Sequence, residues 1–285
     1  MANHPNILIL GASSLIAPWL VKRLTQNGFG GQCYSRTNIG YNPGNSFTWQ
    51  EFDTNKTDRF RPQPQSIIIS LLPLSLLPSL LPQIQDCRHL IAFSTTSIFS
   101  KQDSPASSER KLIQKIMSAE EQVIEFCNKN QTPWTLLRPT LIYDGQSDKN
   151  VTAIANFIKR WHILPIIHPA DGLRQPVHAD DLAIAVTTAV NNPNSFKHAF
   201  NLGGGEILSY REMVLRIFEA TKQSPRIISL PSGLFKLICR YSKEGSAPQN
   251  RSAMFMRMNQ DLVFDWSEAR DTLSYSPRSF QPQFR

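Results

Sequence analysis

The sequence predicts an α/β protein with a doubly wound parallel sheet and a small C-terminal α/β lobe. Short, continuous apolar runs alternate with amphipathic stretches through the first 200 residues, which is typical of parallel strands joined by helices. The first apolar run ends at a glycine that leads directly into a helix. The pattern changes after residue 200, so we expect a main domain over residues 1–200 and a partly interleaved lobe over residues 201–285.

Five strands are predicted in the first part of the chain, over residues 6–10, 32–35, 47–52, 66–71 and 89–93. A helix over residues 15–25 follows the first strand, and it tolerates Pro18 only because that residue lies in the first turn. Residues 62–85 carry no charge and are nearly long enough to span a membrane. Three prolines and a β-branched run favour a buried strand followed by a short apolar helix instead.

The longest predicted helix covers Ser107–Lys129. Its apolar stripe is read as Leu112, Ile116, Ala119, Val123 and Cys127. Further predicted elements are a strand over 134–137, a helix over 150–161, a helix over 181–190 capped by Asp180, a helix over 209–218 opened by a Ser209–Glu212 capping box, and a strand over 226–230. The polar residues 242–252 are predicted to form a mobile loop or lid.

Composition is typical of a folded globular protein, with 41% hydrophobic and 18% charged residues in a chain of 285. Its four cysteines, Cys33, Cys87, Cys127 and Cys239, have no metal-ligand spacing, and the start of the chain lacks the apolar core of a signal peptide. We therefore expect reduced cysteines, no metal site and a cytoplasmic location.

The net charge of +8 favours an anionic partner. Basic residues are spread singly and no DNA-binding motif occurs, which argues against nucleic acid and favours a phosphate-bearing small molecule. A weaker alternative is contact with a membrane surface through residues 230–240, which mix large apolar and basic side chains. The same pattern also fits a helix packed in a core.

The segment from Gly11 to Ala17 lies where a strand meets a helix. There, backbone N–H groups and the positive helix end can bind a pyrophosphate. The usual three-glycine fingerprint keeps only Gly11, while Ser14 and Ala17 stand at the other two positions. The candidate cofactor contacts in this segment are Gly11, Ser13, Ser14, Leu15 and Ile16.

Two residues at later strand ends refine the cofactor prediction. Arg36 follows the second strand, where NADP binders place a cation for the 2′-phosphate, and no acidic residue takes the place used by NAD binders. NADP is therefore favoured, with NAD as the alternative, unless Arg36 is simply a solvated surface charge. Asp53 follows the third strand, where it could accept from the adenine amino group or cap a turn.

Five segments resemble the short-chain dehydrogenase/reductase superfamily, specifically its extended and atypical branch of epimerase/dehydratase-like Rossmann proteins. They are residues 9–16, 92–99, 136–139, 173–183 and 201–209, of which Arg174 to Ala183 is the most specific.

The resemblance implies that Thr95 hydrogen-bonds the reacting substrate oxygen and that Arg174 and His178 face the substrate. It implies cofactor contacts at Leu72, Pro73, Ser94 and Pro139. Thr95 could instead satisfy backbone groups at a strand end. For His178, packing beneath the helix that follows is the stronger alternative.

One departure from the family concerns catalysis. The family normally uses a tyrosine and, four residues later, a lysine that lowers the pKa of the phenol. Aligning Ala119 and its two following glutamates with the family pattern puts Leu112 and Ile116 at those positions. Lys115 is one residue out of register, about 100° around the helix.

Two functions stay open at this point. One is an NAD(P)-dependent oxidoreductase or epimerase-like enzyme, acting on a carbonyl or nucleotide-sugar-like substrate, that uses another proton donor such as Lys111, Lys115, Tyr143 or a bound water. The other is a non-catalytic NADPH-binding sensor, or an assembly or scaffold protein that presents its lobe to a partner protein. In that form it would resemble nitrogen-repression-type redox sensors or the complex I accessory subunit.

Overall fold

The computed structural model describes residues 5–54, 60–231, 233 and 255–284. Its strands are β1 (Ile7–Leu10), β2 (Gly31–Ser35), β3 (Phe47–Glu51), β4 (Ile67–Ser70), β5 (His89–Phe93), β6 (Trp134–Pro139), β7 (Ile142–Tyr143), β8 (Leu164–Ile167), β9 (Leu173–Arg174), β10 (Val177–His178), β11 (His198–Leu202), β12 (Leu208–Ser209) and β13 (Ile227–Leu230). Its α-helices are α1 (Ala17–Gln26), α2 (Ser97–Ser100), α3 (Ser107–Lys129), α4 (Val151–Trp161), α5 (Ala179–Val190), α6 (Tyr210–Ala220) and α7 (Ser267–Leu273).

Seven strands form the main sheet in the order β11-β6-β5-β4-β1-β2-β3, and every neighbouring pair is parallel. The apolar run of β1 is buried on both faces, because Ile7 and Ile9 pack beneath α1 and α5 while Leu8 and Leu10 pack beneath α3. The predicted doubly wound α/β fold is therefore confirmed.

The uncharged stretch folds as β4 followed by a 3₁₀ helix, Leu74–Gln83. Pro78 and Pro82 lie inside this helix, and since neither can donate a backbone hydrogen bond, the α-helical ladder is interrupted. Leu77 and Leu80 are fully buried in the core that also contains α3. No helix in the described part of the chain is long and apolar enough to cross a membrane.

Three local predictions are corrected. Helix α1 begins at Ala17, two residues later than predicted. Leu112 is half-exposed, and Ile113 takes the first buried position of α3 instead, while Ala119, Val123 and Cys127 are buried as predicted. Helix α5 is capped by the His178 side chain, whereas Asp180 lies within its first turn and pairs with arginines.

The lobe is assembled from more of the chain than residues 201–285. Its core unites residues of α4, β8 and α6 with Met258 and Phe280, because the buried stripe of α4 is covered by α6 and not by the main sheet. Conversely, β11 lies in the main sheet, and α7 packs against β11 and α5. Residues before and after position 200 thus contribute to the lobe core and to the main sheet alike.

Two predicted segments lie wholly or largely outside the described residues. Of the apolar and basic segment 230–240, only Leu230, Pro231 and Gly233 are described, and the predicted loop over 242–252 is not described at all. Cys239 falls in the same region, while Cys33, Cys87 and Cys127 are buried and free of disulfides.

Candidate dinucleotide and substrate site

The carboxyl ends of β1 and β4 meet at the point where the strand order reverses. In open α/β sheets a ligand crevice forms at such a point. Gly11 has a φ of 79°, and a Cβ placed there would lie 2.9 Å from both the carbonyl carbon of Leu71 and the amide nitrogen of Leu72. Only glycine permits this backbone conformation together with this approach.

The turn after Gly11 leaves donors available. The amides of Gly11 and Ala12 donate to the Tyr34 carbonyl at 2.9 Å, whereas those of Ser13 and Leu15 have no acceptor among the described residues. Helix α1 then begins without a side-chain cap and without an acidic residue in its first turn. Free N–H groups at an uncapped helix start are suited to bind an anion. The turn therefore fits the pyrophosphate of a dinucleotide.

Two serine hydroxyls at the same edge of the sheet support a polar ligand there. The Oγ atoms of Ser70, the last residue of β4, and Ser94, directly after β5, are buried and have no hydrogen-bond partner in the described part of the chain. Buried polar atoms are normally paired. Sequence reasoning included Ser94 and missed Ser70, whose only signal was its place at the end of an apolar run.

The other candidate cofactor residues follow neighbouring strands. Leu72 and Pro73 come directly after the end of β4, and Pro139 closes β6. Arg36 is the first residue after β2, is exposed and makes no ion pair with a described residue. Asp53 lies two residues beyond β3. Because parallel strands end at one edge, the fold brings these positions to the same side of the sheet.

Thr95 takes part in a local turn. Its Oγ1 accepts a hydrogen bond from the Ser97 amide at 3.1 Å at the start of α2, while the Thr96 amide and hydroxyl both donate to the Pro139 carbonyl. The backbone-satisfying contact considered for Thr95 is thus present. A hydroxyl that accepts one bond still has its proton to donate.

Helix α3 is fixed against β6 by a buried ion pair. Arg138 donates from two nitrogens to both carboxylate oxygens of Glu120, whose side chain is nearly buried. Two turns earlier on the same helix, Leu112 is 52% exposed, and Ile116 is half-buried. Apolar side chains therefore occupy the two helix positions that the family pattern assigns to proton transfer.

The alternative proton donors are placed differently. Lys111 and Lys115 are both exposed on α3. Tyr143 lies in the core of the lobe, and burial raises its pKa to about 12. A phenol with that pKa, packed against His178 and Phe280, is poorly suited to exchange protons near neutral pH.

Arg174 is buried against the segment around Arg257. Its guanidinium donates to the carbonyl oxygens of Leu173, Gln260 and Arg257, and it stacks 5.3 Å above the Tyr210 ring. These contacts bind two distant segments together, which is a structural function in addition to the predicted substrate contact.

A group of cations surrounds Glu109 near the start of α3. Arg257 forms two hydrogen bonds with the Glu109 carboxylate, at 2.7 and 2.9 Å, and Lys101 lies 3.9 Å from it. Burial, assisted by Arg257, lowers the pKa of Lys101. Two cations therefore share the Glu109 carboxylate, and the third, Arg174, lies next to Arg257 and also interacts with the Asp261 carboxylate. Sequence reasoning missed Lys101 and Arg257, because isolated basic residues in loops form no pattern.

His178 makes contacts that support the structural alternative. Its Nδ1 accepts from the Asp180 amide at 3.1 Å, and its ring packs edge-on against Trp19 and Tyr143, each 5.1 Å away. Burial lowers the pKa of the ring. His178 also lines a cavity of about 570 Å³, together with Arg278.

The sheet order and the glycine turn define a Rossmann-type α/β fold. The sequence model of the NAD dependent epimerase/dehydratase family matches residues 71–203. The predicted resemblance to the extended and atypical short-chain dehydrogenase/reductase branch is thereby confirmed.

Curated relatives match parts of the chain. The mitochondrial NADH dehydrogenase [ubiquinone] 1 alpha subcomplex subunit 9 of Arabidopsis thaliana is 26% identical over 46% of this chain and 31% of its own length. The UDP-glucose 4-epimerase of Vibrio cholerae is 21% identical over 63% of this chain and 52% of its own. The matched part of the chain thus spans about a third to a half of these relatives.

Solved structures match nearly the whole chain. The UDP-glucose 4-epimerase of Thermotoga maritima, with UDP-glucose, has a TM-score of 0.71 at 16% identity and covers 96% of this chain and 94% of its own. The UDP-glucuronic acid 4-epimerase of Bacillus cereus, with UDP-glucuronic acid and NAD, has a TM-score of 0.72 at 15% identity and covers 97% and 95%. At such identities the likeness establishes the fold.

Proposed function

We propose that this chain binds NADP(H) across the carboxyl edge of the main sheet. The observation that carries the proposal is the left-handed Gly11 turn at the strand-order reversal, followed by free amides and an uncapped helix start. Gly11, Ser13, Ser14, Leu15 and Ile16 would hold the pyrophosphate. The exposed and unpaired Arg36 supports a 2′-phosphate at the end of β2, and hence NADP over NAD.

The remaining cofactor contacts would lie along the neighbouring strand ends. Leu72, Pro73, Ser94 and Pro139 would border the nicotinamide half, and Asp53 would lie near the adenine. When bound, the cofactor supplies hydride transfer. The chain itself would orient the nicotinamide and exclude water from it through its buried strand ends.

The proposed substrate is a carbonyl compound that carries phosphate, such as a nucleotide sugar. Arg257 and Lys101 support an anionic substrate, because both pair with the single carboxylate of Glu109, and Arg174 lies next to Arg257. Several of the similar structures were solved with UDP-sugars. Thr95 would donate its hydroxyl proton to the reacting oxygen. The cytoplasmic location stays a prediction.

A second candidate is a non-catalytic NADPH sensor or assembly protein. It is favoured by one observation, the apolar pair Leu112 and Ile116 at the positions expected for a tyrosine and a lysine. Two of the curated relatives are named as subunits of NADH dehydrogenase, which also suits a protein that binds a dinucleotide without turning over a substrate.

The cofactor proposal is tested by calorimetric titration of nucleotide-free protein with NADPH and NADH. Micromolar binding with a preference for NADPH is expected. The Arg36→Ala variant should weaken NADPH binding by about 1.5–3 kcal/mol and leave NADH nearly unchanged, because it removes a charge-assisted contact. Arg88→Ala is the matched control, since Arg88 is exposed at the opposite edge of the sheet, before β5. Equal losses for both cofactors would refute the phosphate contact, and no binding of either would refute the proposal.

The two candidate functions separate in a turnover assay. With the bound cofactor established, a panel of UDP-sugars is tested for product formation and for change in cofactor absorbance. Turnover supports the enzyme, whereas nucleotide binding without turnover, together with capture of a defined partner, supports the sensor or assembly protein.

A further inference from the structure

Helix α4 exposes two aromatic rings on the face opposite its core contacts. Its buried stripe consists of Val151, Thr152, Ala155 and Ile158. On the other side, Phe157 is 39% and Trp161 56% exposed, and their ring centroids lie 6.4 Å apart. An amphipathic helix that needs only its inner face for folding would normally carry polar residues there. The lobe therefore has an aromatic patch that its own core does not explain.

A cation borders this patch, since the Arg160 guanidinium lies 5.2 Å above the Trp161 ring. A second cation, Lys159, lies on another side of α4, with its ammonium 5.6 Å from the Phe284 ring. The loop that precedes β13 is held beside the end of α4, because His162 Nδ1 and Gln223 Oε1 are 2.8 Å apart and the Leu164 amide donates to the Arg226 carbonyl.

The charge of this region has one sign. Residues 149–168 and 222–231, which supply α4, β8 and β13, contain five lysines and arginines and no aspartate or glutamate. The edge strand β13 also exposes Ile228. Aromatic rings flanked by cations are the combination that settles at the headgroup level of a bilayer, where rings enter the apolar boundary and cations meet lipid phosphates.

We propose that the α4 face of the lobe, defined by Phe157, Arg160 and Trp161, attaches the protein to an anionic phospholipid surface. The proposal goes beyond nucleotide binding and does not depend on it. It concerns attachment to the surface of the bilayer. Nucleic acid fits this face less well, because exposed aromatic and aliphatic side chains form its centre, while cations form only its border.

Co-sedimentation of the full chain with vesicles tests the proposal. One vesicle preparation is phosphatidylcholine alone, and the other contains phosphatidylglycerol in equal part. Binding to the anionic vesicles at low salt, with release as salt is raised, is expected. No sedimentation with anionic vesicles would overturn the proposal.

Two variants locate the contact. Phe157→Ala/Trp161→Ala should weaken partitioning about ten-fold or more, because two partly inserted rings are removed. Lys159→Glu/Arg160→Glu should abolish the preference for anionic vesicles. Phe99→Ala is the matched control, since Phe99 is a phenylalanine on α2 of the main domain that is even more exposed than Phe157, and it should bind as the parent does. Thermal midpoints verify that each variant is folded.

Unchanged binding of both double variants would overturn the proposal and assign attachment to another part of the chain. In a last experiment, binding of a fluorescent single-stranded oligonucleotide to the parent and to both double variants is measured. If it binds through the same residues while vesicles do not, the face is a nucleic-acid surface and the proposal is wrong.

Discussion

Two parts of the candidate site keep different parts of the family pattern. The first is the turn around Gly11, called here the nucleotide half, and the second is the pair of positions Leu112 and Ile116 on α3, called here the reaction half. Around Gly11 the backbone turn is intact, even though Ser14 and Ala17 replace two glycines. Among the described residues of this turn only Gly11 has a positive φ, so the replacements cause no strain. On α3 the helix is equally intact, but Leu112 and Ile116 stand where the resemblance implies the reactive side chains. Binding by backbone N–H groups survives side-chain replacement, whereas proton transfer does not.

The largest expected effect concerns the attachment of α3. In Arg138→Leu, the buried Glu120 carboxylate loses its partner, and the free energy of unfolding should fall by about 3–5 kcal/mol. Chemical denaturation measures this loss. Arg270→Leu is the control, because Arg270 forms an exposed pair with Asp271 and should leave the unfolding curve unchanged. A small loss for Arg138→Leu would mean that α3 is held by its apolar face alone.

A substitution of Gly11 should disrupt the nucleotide half. In Gly11→Ala, a Cβ is forced against the backbone of Leu71 and Leu72 at a φ unfavourable for other residues. We expect a cost of about 2–3 kcal/mol, together with a large loss of NADPH affinity, measured by denaturation and calorimetry. Gly40→Ala is the matched control, since nothing lies within 4 Å of the added Cβ. Retained affinity in Gly11→Ala would show that the turn does not hold the cofactor.

The stability contributed by the ion pair between Arg23 of α1 and Asp180 of α5 should depend on pH. Burial alone would raise the pKa of Asp180, but hydrogen bonds from Arg23 and Arg278 outweigh it, and the pKa lies below its usual value of 3.8. A carboxylate with a lowered pKa stabilises the fold above pH 3.8, and this contribution is lost as pH falls through the lower folded pKa.

Asp180→Asn should therefore cost about 1–3 kcal/mol at pH 7. The difference from the parent should narrow only below about pH 4. Urea unfolding at a series of pH values measures both quantities. A difference that already disappears at pH 6 would contradict the lowered pKa.

The smallest effect on stability is expected from restoring the family pair. Leu112→Tyr/Ile116→Lys changes one half-exposed and one half-buried position. The free energy of unfolding should therefore change by about 0.5 kcal/mol, and NADPH binding should be unchanged. The neighbouring ammonium should hold the pKa of the new phenol below its usual value of about 10. Ultraviolet titration measures that pKa, and Leu112→Tyr alone is the control. An unshifted phenol would mean that the two positions do not face each other.

Much of the fold could be predicted from neighbouring residues. The apolar run of β1, the stop at Gly11, Pro18 in the first turn and the Ser209–Glu212 capping box each depend on residues within a few positions. The assignment of Leu112 and Ile116 to the positions of the reactive pair depends on the alignment of Ala119 and its two following glutamates and stays a prediction. The extent of the lobe was not predictable, because the apolar stripe of a helix such as α4 shows which face is buried and does not indicate which element packs on that face.

The sequence by itself determined the parallel sheet, the glycine turn and the absence of a tyrosine–lysine pair on α3, because these follow from local backbone preference and residue identity. The tertiary structure alone decided that Arg257 binds Glu109, 148 positions away, and that Arg174 is buried against backbone carbonyls of a distant segment. It also decided that Phe157 and Trp161 remain exposed. Such contacts join residues whose separation along the chain carries no periodic signal, so only the packed fold brings them together.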